Sequence, residues 1–354
     1  MENRSENLFW VDIARAAVMF GVVLVHISAD VITEWGHFPK GWWWAANVYD
    51  SLARGCVPVF IMLSGALLLP KTESYRDFFF KRFRRILLPS VVWTVLYLLW
   101  KKQFYVPELG FSEAFRLALN GGVHFHLWFL YLIAGLYLLT PLLRVLVAHA
   151  SRRDLLYLLI LWFLVSSVLP FWEGWDKLFL HTGLHFKIPA ELTQGFVGYF
   201  VLGYFIRQTD TVMFRHSVYG VWAACLFICM IGTYLLSRHF HSFQMLFYDN
   251  MAPNGVLYAA SFFMILKHAG PWLETHLSAG WRNLVLSLSK ASFGIYLIHP
   301  MTLDILAKGR WGFVLKGDMP QPILMIPLTT LVIYVFSFFV IILIQKIPVL
   351  KRIV

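Results

Sequence analysis

The chain of 354 residues is 59% hydrophobic and 18% aromatic, with only 14% charged residues, where a soluble domain carries about 25%. Its apolar residues come in long unbroken runs, which excludes a soluble globular domain or a β-barrel and leaves a helical integral membrane protein. The formal charge of +11 is dispersed among the segments between those runs, a pattern that excludes nucleic acid and makes membrane lipid the expected partner.

Ten hydrophobic runs predict a bundle of about ten transmembrane helices, over 8–29, 45–69, 86–101, 127–146, 155–171, 192–206, 218–236, 256–267, 284–306 and 322–344. No heptad stretch, low-complexity tract or internal repeat divides them, so 1–354 reads as a single transmembrane domain. With the N-terminus inside, 18 Lys and Arg fall in inner segments and 10 in outer ones, while Arg15 and Arg54 lie in spans. Both termini are therefore expected on the cytoplasmic side.

The first run holds Asp12, Arg15 and His26. An ionisable group in a span is expensive and marks a functional pathway unless it snorkels or packs with partners. Eleven helical steps turn the chain back to within about 20° and raise it about 16 Å. Arg15 and His26 thus share one helix face, Arg15 toward the inner side and His26 toward the outer. Asp12, one turn before Arg15, is placed to pair with it.

The second run contains Val57-Pro-Val-Phe-Ile-Met-Leu-Ser-Gly65. Its small pair Ser64-Gly65 predicts close helix approach, and no Gly-x-Ser-x-Gly surrounds Ser64 to make it a nucleophile. The loop after it, 71–85, carries Lys71, Arg76, Lys81, Arg82, Arg84 and Arg85 against Glu73 and Asp77. Such a patch suits a polyanionic cytoplasmic ligand, since guanidinium groups grip phosphate oxygens; it equally suits inner-face topology and anionic lipid.

His124 and His126 stand at the outer mouth of the fourth run, before Trp128, and His299 lies in the ninth at roughly the depth of His26. Neutral imidazole takes a proton from an alcohol near neutral pH, which makes these histidines candidate general bases or packed interfacial residues. No spacing supplies a metal site, and Cys56, Cys225 and Cys229 all fall in apolar runs. Trp42 to Trp44, Trp172 and Trp175 suit interfacial anchors or stacking on sugars.

Taken in order, Asp12-Ile-Ala-Arg15 with His26, Val57 to Gly65, Lys81-Arg-Phe-Arg-Arg-Ile-Leu-Leu-Pro89, His126-Leu-Trp-Phe-Leu130, Gly195 to Gly203 and Ser292-Phe-Gly-Ile-Tyr-Leu-Ile-His299 resemble the motifs of the membrane-bound acyltransferase 3 family. The resemblance implies a ten-helix bacterial inner-membrane enzyme that moves acyl groups, usually acetyl, from a coenzyme A thioester to a sugar hydroxyl. It implies His26 as the essential histidine, with Arg15 in the site, and Arg82 and Arg85 at the coenzyme A entrance; Asp12, the expected partner of Arg15, and Lys81 and Arg84, in the same basic run, are counted with them. It is similar to the stand-alone O-acetyltransferases of surface polysaccharide, so the expected donor is acetyl-CoA and the expected acceptor a carbohydrate or polyprenyl-linked sugar. His126, Trp128, Tyr296 and His299 lie in the motifs expected to face that acceptor. His26 then serves as general base or as acyl relay. The competing class is a transporter of an anionic solute or proton using Arg15 and His26, for which no inverted repeat is present.

Overall fold

The computed structural model describes residues 8–183 and 195–354, and among them every regular element is helical. The ten expected runs all fall on helices: α1 Phe9–Ile32, α2 Lys40–Leu68, α3 Tyr75–Phe104, α4 Trp128–His149, α5 Arg152–Leu180, α6 Phe196–Gln208, α7 Arg215–Phe240, α8 Pro253–His276, α9 Ala279–Ala307 and α10 Pro322–Lys346. Eight of the ten are long and apolar enough to cross a membrane. The exceptions are α6, of 13 residues, and α8, whose last turns carry polar groups. The expected start of the sixth run, 192–194, lies outside the described residues.

Several helices reach beyond their apolar runs, and in α3 and α5 the local chemical reason is plain. In α3, Ser74 caps the start by accepting from the Asp77 amide at 3.1 Å, and Phe78 is buried, so 75–85 is helix rather than loop. A wide π turn, Phe83–Leu87, then precedes Pro89, whose missing N–H and bulky ring would clash with a regular turn. The same device, Leu164–Val168 before Pro170, carries α5 past its apolar limit.

The first helix sits at the centre, packed against α2, α8, α9 and α10. Tyr334 of α10 donates to the Ala16 carbonyl at 3.1 Å and Ser289 of α9 to Asp12 at 2.5 Å, tying α1 into place. The inner half of α2 crosses α6 backbone to backbone. A β-carbon on Gly65 would lie 1.8 Å from the Phe200 carbonyl oxygen, and one on Gly203 would lie 2.0 Å from that of Met62. The close approach read from Ser64-Gly65 is therefore present, and Ser64 spends its hydroxyl on its own helix, at 3.0 Å from the Phe60 carbonyl.

Cations close the ends of these two helices. Arg207 and Arg144 donate to the α2 carbonyls of Ala66 and Leu68 at 2.6 and 2.9 Å. Lys267 donates to Ile206, Arg207 and Thr209 at the end of α6, at 2.8, 3.1 and 2.8 Å. Each group meets carbonyls that a helix C-terminus leaves unpaired, where its charge also opposes the helix dipole. The outward faces of α4, α5 and α10 expose Leu138, Leu142, Tyr157, Ile160, Phe339 and Leu343, as lipid-facing surfaces do.

Candidate active site

Four histidines converge at one end of the bundle. His26 of α1 stacks on His299 of α9, with ring centroids 5.3 Å apart and planes 19° from parallel, and packs against Phe125 at 4.7 Å. His126 meets His299 edge to face at 5.6 Å. Its Nδ1 is 3.0 Å from that of His124, so one of the two donates to the other. The hydroxyl of Tyr296 donates to the His126 carbonyl, and Tyr97 packs on both His124 and His126 while donating to the Leu297 carbonyl at 2.7 Å.

These contacts fix what the rings can do. Nδ1 of His299 lies 2.8 Å from the Tyr296 carbonyl and 3.2 Å from that of Ile295; since carbonyls only accept, Nδ1 carries the proton. Its Nε2 is buried with no hydrogen-bond partner among the described residues, as is Nε2 of His126. His26 is partly exposed, and neither ring nitrogen has a hydrogen bond among the described residues. A ring with open nitrogens, held by stacking alone, is free to exchange a proton with a ligand. Burial pulls the His124 imidazole, in the loop before α4, down to about 4, partly offset by the charge of Asp304. That ring is neutral at pH 7.

The other expected residues separate into two places. Tyr296 and His126 belong to the cluster, whereas Trp128 is 39% exposed and packs against Phe129 and Phe196, outside it. Arg15 sits toward the other end of α1, 3.9 Å from Asp12 and 35% exposed, with Arg85 and Tyr137 within electrostatic reach.

There, the basic run is organised by one carboxylate. Glu73 accepts from Lys81 at 3.0 Å, Arg82 at 3.1 Å and Arg144 at 3.0 Å. Arg82 and Arg144 also lie over the buried Phe78 ring, at 4.4 and 4.6 Å from its centroid. Lys81 and Arg82 are thus committed to structure, while Arg84 lies over the exposed Phe80 ring at 5.1 Å and Arg85 is exposed with no ion pair among the described residues. Burial raises the Glu73 carboxyl, but hydrogen bonds from Arg144 and Lys81 and the Arg82 charge outweigh it and hold the group at about 2.

A carboxylate lowered from its ordinary 4.5 stabilises the fold above that value and loses the contribution as pH falls through about 2. The thermal midpoint of the detergent-solubilised protein should fall across that window. Glu73→Gln should flatten the dependence and lower stability at pH 7 by up to about 3 kcal/mol, the upper end for hydrogen bonds to a charged group. An unchanged midpoint in the variant would show that the three cations do not need Glu73.

Sequence reading missed an ion pair whose carboxylate is fully buried. Asp50, fully buried in α2, pairs with Arg54 four residues on and accepts from Ser28 at 3.1 Å, and the Arg54 guanidinium lies over the Tyr248 ring at 4.5 Å. Two opposite charges one turn apart within an apolar run were the available signal. Tyr97, Phe125 and the inward turn of His124 carried no signal, because each depends on contacts between helices. Among the described residues no group of three or more His, Cys, Asp or Glu could hold a metal.

Compared with known proteins, residues 8–346 match the model of the family described as Acyltransferase domain. No curated protein and no solved structure matches the chain.

Proposed function

Because the chain belongs to the acyltransferase 3 family, we propose that it moves an acetyl group from cytoplasmic acetyl-CoA to a hydroxyl of a cell-surface sugar or polysaccharide precursor in the bacterial inner membrane. An acyltransferase with multiple membrane-spanning helices is the premise; donor, acceptor and residue roles are the proposal. The observation that carries it is that α1 bears Arg15, within electrostatic reach of Arg85 of α3, toward one end and an imidazole with open nitrogens toward the other.

The nucleotide end of coenzyme A bears several phosphate charges, which Arg84, Arg85 and Arg15 are chemically suited to hold. His26 lies about 16 Å along the same helix, and the narrow, uncharged pantetheine arm would span that depth. The His26 imidazole accepts the proton of the acceptor hydroxyl as its oxygen attacks the acyl carbon. The C–S bond then breaks, and the proton passes from His26 to the departing thiolate, which leaves as coenzyme A thiol. His299, its Nδ1 proton held by the Tyr296 and Ile295 carbonyls and its ring stacked on His26, is a positioning residue.

The pairing of Lys81 and Arg82 with Glu73 divides the basic run by expected effect. Arg84→Gln with Arg85→Gln should weaken acetyl-CoA binding by about 10²-fold, two charge-assisted contacts' worth, and leave acceptor KM unchanged. Calorimetric titration of the purified protein with acetyl-CoA checks this. An unchanged donor affinity would assign the exposed arginines to membrane topology alone.

A further inference from the structure

At the ends of α1, α2 and α7 on the histidine side of the bundle, a cavity of about 280 Å³ opens outward. Its walls are aromatic. Trp35 meets Trp43 edge to face at 4.6 Å and lies 6.0 Å from Tyr234, and Trp43 lies 5.9 Å from Tyr234. Trp43 is buried, and its indole donates to the Ile32 carbonyl at 3.0 Å, so this wall is fixed. The rim is cationic. Lys40 stands 5.3 Å over the Tyr234 ring, and Arg238 lies one turn further along α7. Neither has a carboxylate partner among the described residues, and Glu34 in the adjoining loop turns to His37 at 3.2 Å.

Interfacial anchoring accounts for exposed tryptophans on a convex surface. It does not call for a concave bowl with a buried indole in its wall, one cation over its phenol ring and a second on its rim, neither with a carboxylate partner among the described residues. Aromatic faces take the apolar face of a pyranose, while Lys and Arg take a carboxylate or phosphate oxygen. We infer that this cavity binds a sugar unit bearing a carboxylate or a phosphate ester. The inference rests on the carbohydrate-acceptor reading above and narrows it to anionic acceptors. The α1 segment from His26 to Ile32 rises about 9 Å, so the bound unit sits beside the sugar that is acylated rather than on it.

The test is a tryptophan-fluorescence titration of the full chain in phosphatidylcholine nanodiscs with glucuronate, glucose 1-phosphate and glucose. A saturable response to a charged sugar, at a Kd about ten-fold or more below that for glucose, is expected. Glucuronate as the tighter probe would point to an acidic unit within the saccharide, and glucose 1-phosphate to the phosphate of a carrier-linked sugar. Lys40→Gln with Arg238→Gln should raise that Kd about ten-fold or more at an unchanged thermal midpoint. Equal responses to charged and neutral sugars, or an unaltered Kd in the double variant, would overturn the inference. So would a response suppressed in phosphatidylglycerol nanodiscs, which would assign the cations to a lipid headgroup. Acetyl-CoA binding by the parent separates the two levels: if it is present and no sugar saturates, this cavity alone is refuted, and if it is missing the transferase reading falls.

Discussion

His26→Ala should lower acyl transfer by about 10²–10⁴-fold, the contribution of a positioned general base, in a protein that still inserts and folds. The expectation of folding follows from the site. The ring is partly exposed and makes no hydrogen bond among the described residues, so truncation leaves no buried partner unsatisfied. Its removal takes away stacking on His299 and Phe125 only. Release of coenzyme A thiol in acceptor-containing membranes, with parent and variant matched for folded protein, reads the effect. Transfer within ten-fold of the parent would remove His26 from the proton-transfer step.

Gly65→Ala and Gly203→Ala should each disrupt assembly of the bundle. Overpacking an interior commonly destabilises by about 1–3 kcal/mol because side chains can shift. Here the obstacle is a backbone carbonyl, 1.8 Å from the new β-carbon in one case and 2.0 Å in the other, and it cannot rotate aside. The helices would have to separate along the whole contact between α2 and α6, so a loss above about 3 kcal/mol and collapse of the monodisperse yield in detergent are expected. Gly135→Ala on α4, where a β-carbon meets nothing within 4 Å, is the control and should behave as the parent. Equal yields for Gly65→Ala and Gly135→Ala would mean that the two helices do not cross at this point.

The sequence displayed the bundle plainly, because burial of apolar surface in lipid demands long uninterrupted runs and little else mimics them. It displayed element ends less well. Tyr75 to Arg85 reads as a charged loop by hydropathy, yet the Ser74 cap and the buried Phe78 make it the first turns of α3. The site was legible as depth but not as contact. His26 and His299 could be placed at one level from their positions in two spans, whereas their stacking depends on which faces α1 and α9 present to each other. Likewise, six basic residues in 71–85 could be counted, but the division between those held by Glu73 and those left exposed arises only when the loop folds back on Arg144. The Asp50–Arg54 pair shows the same limit, since its burial is set by Ser28 and Tyr248 from distant segments.

The most direct test of the central claim follows the acyl group itself: radiolabelled acetyl-CoA is supplied to membranes containing the parent chain, and label is sought in the carbohydrate fraction. The account predicts alkali-labile label in that fraction, as an ester should be, and its loss with His26→Ala. Contradiction would be a folded parent that neither binds acetyl-CoA nor places label in carbohydrate.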